Sequence, residues 1–184
     1  MGKEVAMNDL PVVILGQMGS GKDTLARRLV AEYGYTRNVT NTSRPMRPGE
    51  VDGVDYHFRT AEWFHENWDE LAEVAKYTAS FGDCYYGSMK SSFVPGSVTI
   101  LTPEGLRTIR RRGVKCIAAY IQAPEETLRE RALRRGDDPV EVNRRIYADK
   151  LRFQELDNID IYLDGTKTKD EVVSEFIRKM TALT

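Results

Sequence analysis

Short apolar runs alternate with segments of helical periodicity along most of the chain. Residues 12–15, Val-Val-Ile-Leu, form a run that ends at a glycine, which is typical of a buried parallel strand. Residues 22–33 place their apolar side chains on one helical stripe and stop before Gly34. The same alternation predicts further strands at 98–101, 115–121 and 159–163, and further helices at 103–112, 124–135, 140–156 and 169–183. Strands that alternate with helices predict an α/β fold whose parallel sheet is covered on both faces.

Residues 38–94 interrupt this alternation. They are rich in proline and glycine, with short strand patterns and one possible short helix at 62–71. We interpret them as a subdomain inserted into a single domain that spans residues 1–184. The core of that domain would then be formed by residues 10–37 and 95–184.

The charge composition gives no indication that the chain binds nucleic acid or membranes. The 27 basic and 28 acidic residues give a net charge of −1, so no global field draws the chain to nucleic acid or to an anionic membrane. Phosphate chemistry must therefore come from local clusters. The first residues lack the apolar core of a signal peptide, which favours a cytoplasmic location. Cys84 and Cys116 have no metal-ligand spacing and are predicted to be reduced thiols.

The most specific motif lies between the first strand and the first helix. Its sequence, Gly-Gln-Met-Gly-Ser-Gly-Lys-Asp-Thr over residues 16–24, nearly fits the Walker A phosphate loop. Glycines let backbone N–H groups converge on phosphates, and the N-terminus of the following helix adds positive potential. The predicted ATP-binding residues are Gly16, Gly19, Ser20, Gly21, Lys22, Asp23 and Thr24.

This motif departs from its pattern at one position. Asp23 follows the lysine where Ser or Thr is usual, and a hydroxyl there usually contacts Mg²⁺. Thr24 could serve the metal instead, or Asp23 could act through a water molecule. Asp23 could equally be an acid that only favours the helix dipole. Both residues are kept as candidate Mg²⁺ ligands.

A second cluster lies in the inserted segment. Arg44 and Arg47 are three residues apart in a proline-rich stretch, where two guanidinium groups can form a preset fork for a phosphate. Tyr56 would add a neutral hydroxyl donor. Spacing alone would also suit a solvated loop with two surface arginines.

Here the sequence resembles the guanylate kinases, from about residue 12 to residue 177. Four segments carry the resemblance: the phosphate loop, residues 44–58, the Tyr-Tyr-Gly-Ser run at 85–88, and residues 128–136. The family implies a P-loop NTPase fold of three layers, with a parallel core sheet, an inserted nucleoside-monophosphate-binding subdomain and a helical lid at about 131–150. It also implies transfer of the ATP γ-phosphoryl group to GMP or dGMP, with Mg²⁺, in a monomer or homodimer.

The resemblance assigns roles to individual residues. Lys22, Arg131 and Arg145 would act on the transferred group, and Arg135 would hold ATP from the lid. The acceptor nucleotide would be held by residues of the insertion, which are Thr40, Arg44, Arg47, Tyr56, Glu73, Tyr86, Gly87 and Ser88.

Two departures leave the acceptor base open. Counting without gaps puts Tyr77 where the family has a glutamate that reads guanine, whereas Glu73 takes that place if the following hairpin has four extra residues around 80–83. The strand at 98–101 and the residue after it carry Thr99 and Thr102 where relatives usually have aspartates. A kinase for another nucleoside monophosphate or for ribose 1,5-bisphosphate therefore stays an alternative, as does a non-catalytic module of the same fold.

Overall fold

The computed structural model describes residues 9–79 and 82–183. It contains two sheets. The strands, in chain order, are β1 (Val12–Gly16), β2 (Thr36–Arg37), β3 (Asn41–Thr42), β4 (His57–Phe58), β5 (Leu71–Ala79), β6 (Gly82–Met89), β7 (Ser97–Ile100), β8 (Ile117–Gln122) and β9 (Ile161–Asp164). The helices are α1 (Lys22–Tyr33), α2 (Ala61–Glu66), α3 (Pro103–Arg111), α4 (Glu125–Arg134), α5 (Pro139–Arg152) and α6 (Lys169–Thr181), with a 3₁₀ turn at Lys90–Ser92.

The core sheet has the strand order β2-β7-β1-β8-β9, and every neighbouring pair is parallel. Its central strand β1 is buried on both faces, which explains why its sequence is continuously apolar. Val12 and Ile14 pack with α1 and α6, while Val13 and Leu15 pack with α3. The predicted α/β fold of three layers is confirmed.

The second sheet has the order β4-β3-β6-β5 and lies within the residues interpreted as an insertion. Strands β5 and β6 form a long antiparallel hairpin, with Leu71 opposite Met89 at one end and Ala79 opposite Gly82 at the other. Of the residues around 80–83, where four extra hairpin residues are predicted, Ser80 and Phe81 lie outside the described residues, whereas Gly82 and Asp83 belong to β6. Tyr77 of this hairpin lines one cavity together with Gly16 and Ile100, the last residues of β1 and β7, so the hairpin lies near the carboxyl ends of those strands.

Helices α4 and α5 pack against each other through a small apolar cluster. Ala132 of α4 meets Val142 and Ile146 of α5, and the side chain of Met18 from the loop after β1 packs on the same cluster. The two helices therefore enclose part of that loop.

Two predicted helices end earlier than expected. The helix predicted at 62–71 ends at Glu66, because the buried Leu71 instead begins strand β5. The helix predicted at 140–156 ends at Arg152, because the ring of Phe153 stacks on Tyr120 of the core sheet, 5.5 Å between ring centroids. Tertiary packing outweighs helical periodicity in both cases.

Both cysteines are buried free thiols, as predicted. Within residues 9–79 and 82–183, no helix is both long enough and apolar enough to cross a membrane.

Candidate active site

The loop between β1 and α1 has the backbone that its glycines predict. Gly19 and Gly21 have φ angles of 78° and 100°, a left-handed conformation that L side chains rarely adopt. A Cβ atom at Gly16 would lie 2.2 Å from the Oγ atom of Ser20, and one at Gly19 would lie 3.1 Å from the carbonyl oxygen of Leu128. This loop can turn tightly under α4 only because those side chains are absent.

Lys22, the first residue of α1, reaches back over this loop. Its Nζ donates to the carbonyl oxygen of Gln17 at 3.4 Å and lies 3.7 Å from the carboxylate of Asp23. The lysine side chain is 22% exposed and that of Asp23 is 68% exposed. The ammonium group thus lies beside the phosphate loop, and a bound phosphate could replace its two long contacts with Gln17 and Asp23.

The three arginines predicted for the lid all lie near the loop. Arg131 on α4 donates to the carbonyl oxygen of Gly19 at 3.3 Å. Arg145 on α5 is exposed, pairs with Glu141 at 3.0 Å and lies 3.9 Å from the sulfur of Met18. Arg135, just after α4, pairs with Asp137. Two helices therefore bring positive charge to one side of the phosphate loop.

The predicted arginine fork is organised by Glu50. Arg44 is 6% exposed and forms two hydrogen bonds to the Glu50 carboxylate, at 2.7 and 2.9 Å. The same carboxylate accepts from the backbone N–H of Arg47 at 2.7 Å. The guanidinium of Arg44, followed by the Arg47 amide, lowers the pKa of Glu50 to about 2, so it is ionised at neutral pH.

Most donors of Arg44 are already used. Its Nε donates to the hydroxyl of Tyr86 at 3.1 Å, and Nη1 also donates to the carbonyl oxygen of Pro45 at 2.7 Å. Because a guanidinium has five N–H donors, these contacts within the described residues leave about one, on Nη2, for a ligand. The exposed side chain of Arg47 is the freer cation of the pair.

Two tyrosines complete this cluster. The rings of Tyr56 and Tyr86 meet edge to face at 5.8 Å, and the guanidinium of Arg44 lies 5.3 Å from the Tyr56 ring centre. Burial raises the pKa of Tyr56, so its hydroxyl stays protonated at neutral pH and can donate. Tyr86 accepts from Arg44 and so keeps its own proton for a ligand.

Glu73 and Tyr77, the two candidates for reading the base, lie on the same side of β5. Glu73 is 6% exposed and lies opposite Ser88 on β6. Burial raises the pKa of Glu73 to about 7, against opposing contributions from Ser88 and the charge of Arg112. Tyr77 is 46% exposed and its ring meets that of Tyr86 edge to face at 5.5 Å. The two side chains therefore differ in what they offer a ligand. Glu73 offers a buried carboxyl group, and Tyr77 offers an exposed hydroxyl.

The remaining predicted acceptor residues divide into two groups. Thr40 lines the same cavity as Arg44 and Glu73, but Gly87 and Ser88 are buried behind it. A Cβ atom at Gly87 would lie 2.8 Å from the carbonyl oxygen of Glu73, so this glycine permits the close pairing of β5 and β6. Thr99 is also buried, whereas Thr102 lines the cavity and accepts from the N–H of Gly105 as the N-cap of α3.

Three cavities lie end to end across the molecule. The hairpin cavity, of about 490 Å³, is lined by the arginine–tyrosine cluster and Glu73. The phosphate-loop cavity, of about 530 Å³, lies between the phosphate loop, α4 and the start of α6. Between them the middle cavity, of about 810 Å³, contains Lys22 and Arg145. It shares Gly19, Asp23 and Arg135 with the phosphate-loop cavity, and Tyr77, Ile100, Leu101 and Thr102 with the hairpin cavity.

Sequence reasoning missed the loop between β9 and α6. Lys167, Thr168 and Lys169 line the phosphate-loop cavity, and a Cβ atom at Gly165 would lie 2.9 Å from the carbonyl oxygen of Gln122. The position of this loop after a parallel strand was the available signal, because ligands of such sheets bind at the carboxyl ends of their strands. Glu50 lies in the segment 44–58 that carries the resemblance but was assigned no role there, and Asp149 gave no comparable signal.

Known proteins match this chain over most of its length. The family model described as guanylate kinase matches residues 8–180. The chain is similar to the guanylate kinase of Symbiobacterium thermophilum, with 34% identity over 146 residues that cover 74% of this chain and 68% of the relative. It is 31% identical to the guanylate kinase of a Nostoc species over 172 residues, 88% of this chain and 84% of the relative. The crystal structure of guanylate kinase from Anaplasma phagocytophilum has the same fold, with a TM-score of 0.63 and 19% identity over 96% of this chain and 88% of that one. The chain therefore belongs to the guanylate kinase family.

Proposed function

We propose that this chain transfers the γ-phosphoryl group of ATP to GMP or dGMP, giving ADP and GDP or dGDP. The observation that carries the proposal is the row of three adjacent cavities that share lining residues. A phosphate loop borders one end, an arginine–tyrosine cluster borders the other, and Lys22 lies in the space between. Such a row suits two nucleotides whose phosphates meet in the middle.

The proposed reaction needs positioning more than covalent chemistry. The acceptor phosphate is itself the nucleophile, so no general base is required. Arg47, with the hydroxyls of Tyr56 and Tyr86, would hold that phosphate at the border of the middle cavity. Lys22, Arg131 and Arg145 would offset the charge that spreads over the transferred group, while Arg135 would hold ATP.

The loop also fits a magnesium ion that arrives with ATP. Mg²⁺ is usually held by one or two protein oxygens together with substrate phosphates and water. The described part of the chain contains no group of three or more His, Cys, Asp or Glu side chains placed to hold a metal ion. The carboxylate of Asp23, which borders two of the cavities, and the hydroxyl of Thr24 would hold the ion. When bound, it would neutralise phosphate charge.

Base recognition is assigned to Glu73. An ionised carboxylate accepts from two adjacent donors, and guanine presents such a pair at N1–H and its 2-amino group, whereas adenine does not. Burial of Glu73 in the wall of the hairpin cavity favours this role over Tyr77, whose exposed phenol has only one proton to donate. Thr40 would add a hydroxyl from the other wall.

Initial rates across a panel of acceptors test this assignment. With MgATP at saturation, we expect GMP and dGMP to give kcat/KM values at least about 100-fold above those of AMP, UMP and ribose 1,5-bisphosphate, because the unpaired Glu73 rejects the others. ADP formation in a coupled assay measures the rates. A preference for ribose 1,5-bisphosphate or for another nucleotide would overturn the acceptor, and no turnover with any of them would favour a binding module.

The pKa of Glu73 predicts how GMP binding depends on pH. GMP pairs with the ionised carboxylate, and with a pKa of about 7 only about one tenth of the free protein is ionised at pH 6. KM for GMP is therefore expected to fall about tenfold between pH 6 and pH 8, and to level off above pH 8. Initial rates at saturating MgATP measure this.

Glu73→Gln provides the control for this dependence, because GMP's own phosphate also titrates near pH 6. The variant should retain only the part of the pH dependence that comes from GMP, with a KM raised at every pH. Equal pH profiles for the variant and the wild type would rule out Glu73 as the titrating group. For the stability of the free protein the sign is opposite. Stability should fall as the pH rises from about 4.5 to about 7 and stay level above that, because burial disfavours the charged form of Glu73.

Several predictions from the sequence also enter this proposal. We assign the nucleoside-monophosphate-binding subdomain to residues 38–94 and the lid to about 131–150. A cytoplasmic location and a monomeric or homodimeric state remain predictions.

A further inference from the structure

Met18 is held by the two helices on which its side chain packs. Its backbone N–H donates to the Oδ2 atom of Asp149 on α5 at 2.8 Å, across 131 residues of sequence. Its side chain lies on the apolar cluster formed by α4 and α5. On the next residue, the carbonyl oxygen of Gly19 accepts from Arg131. Consecutive residues of the phosphate loop are thus fixed by α5 and α4, just before the left-handed turn at Gly19.

Asp149 is itself held in place. Its side chain is 16% exposed, and its Oδ1 atom lies 3.5 Å from Nη1 of Arg152, one helical turn later on α5. Arg152 also lies 3.8 Å from a carboxylate oxygen of Glu104 on α3. The end of α5 is fixed to the core sheet by the stacking of Phe153 on Tyr120. The accepting oxygen therefore has a defined position relative to β1 and β8.

Asp149 also borders the middle cavity, together with Lys22 and Arg145. An acidic side chain beside a space meant for phosphates weakens their binding by repulsion. The hydrogen bond from the Met18 amide gives this carboxylate a structural role at the phosphate loop.

We propose that Asp149 is a positioning residue that presets the phosphate loop for the phosphates of the donor nucleotide. It acts through the Met18 amide and does not touch the transferred group. Any effect of Asp149 on the rate of phosphoryl transfer rests on the proposed function. The claim that Asp149 holds the phosphate loop ready for a nucleotide concerns only the binding of the donor.

Calorimetric titration with MgADP in the absence of GMP tests the inference, using the full chain. Asp149→Ala removes the acceptor and is expected to raise the Kd for MgADP about tenfold or more. Asp149→Asn keeps an accepting oxygen in the same place and should stay within about threefold of the wild type. Lys150→Ala, the matched control, changes the adjacent outward-facing residue, 64% exposed, and should leave the Kd unchanged within about twofold.

Wild-type affinity for MgADP in Asp149→Ala would overturn the inference. Tighter binding in that variant would show that the carboxylate obstructs the loop, and an equal loss in Asp149→Asn would show that the hydrogen bond is not what matters. The affinity for GMP, measured separately, should be the same in all variants. Because MgADP binding is measured without an acceptor, this test stands even if GMP turnover is absent.

Hydrogen exchange provides a measurement that does not depend on whether Asp149→Ala folds. In the nucleotide-free wild type, the amide of Met18 should exchange slowly, and in Asp149→Asn it should stay partly protected. Rapid exchange of this amide in the folded wild type would contradict the proposed contact.

Discussion

Replacing Lys22 with alanine is expected to lower kcat by about 100- to 1,000-fold, the cost typical of losing one preorganised charge at a reacting group. The ammonium group lies in the middle cavity, where the transferred phosphoryl group would pass from one nucleotide to the other. Within the described residues its contacts are a 3.4 Å bond to a loop carbonyl and a 3.7 Å approach to Asp23. Neither contact is strong enough for its loss to unfold the chain, so the melting temperature should hardly change. Initial rates with saturating MgATP and GMP measure the effect.

Lys115→Ala is the matched control for that experiment. Lys115 is exposed and precedes β8, at the end of the core sheet opposite the phosphate loop. Its replacement removes the same charge from the chain without touching any of the three cavities. If both variants turned over at the wild-type rate, Lys22 would have no part in the transfer.

Replacing Arg47 with alanine is expected to lower kcat/KM for GMP by about 100-fold. Arg44 is largely committed to Glu50, Tyr86 and Pro45, so Arg47 is the cation of the pair with the most freedom to meet the acceptor phosphate. The backbone N–H of Arg47, which donates to Glu50, survives the change, so Arg44 should keep its orientation. KM for ATP should remain within about threefold of the wild type, because the donor lies two cavities away.

Met46→Ala tests whether this effect belongs to the guanidinium. Met46 is adjacent in the same loop and 56% exposed, so its truncation changes the loop without removing charge. Its kcat/KM should match that of the wild type. A loss in Arg47→Ala that fell equally on ATP and GMP would point to damage of the fold rather than to loss of an acceptor contact.

The core of the fold could be predicted because local and tertiary signals agree there. Strand β1 is buried on both faces, so its continuous apolar run predicts a buried parallel strand. The glycines that follow it determine the turn into α1. Helix α1 was predicted to the residue for this reason. Helix α5 was predicted too long, since the contact that ends it, Phe153 on Tyr120, joins residues 33 positions apart.

From the residues alone, the site was predictable where one short motif contains its parts, as in the phosphate loop. The roles of Arg44, Arg47 and the three lid arginines rest on the family resemblance. By contrast, whether Glu73 or Tyr77 reads the base depends on the pairing of a hairpin, and both proved to face one cavity. The role of Asp149 depends on a contact with a residue 131 positions away, which no local pattern records.

The most direct measurement follows the phosphorus atom itself. The chain is incubated with Mg²⁺, GMP and ATP carrying ³²P only at the γ-position, and the products are separated. The label should appear in the β-phosphate of GDP, in equal amount to the ADP formed, with little released as inorganic phosphate. Label found only in inorganic phosphate, or none in GDP while ATP is consumed, would contradict transfer between the two nucleotides.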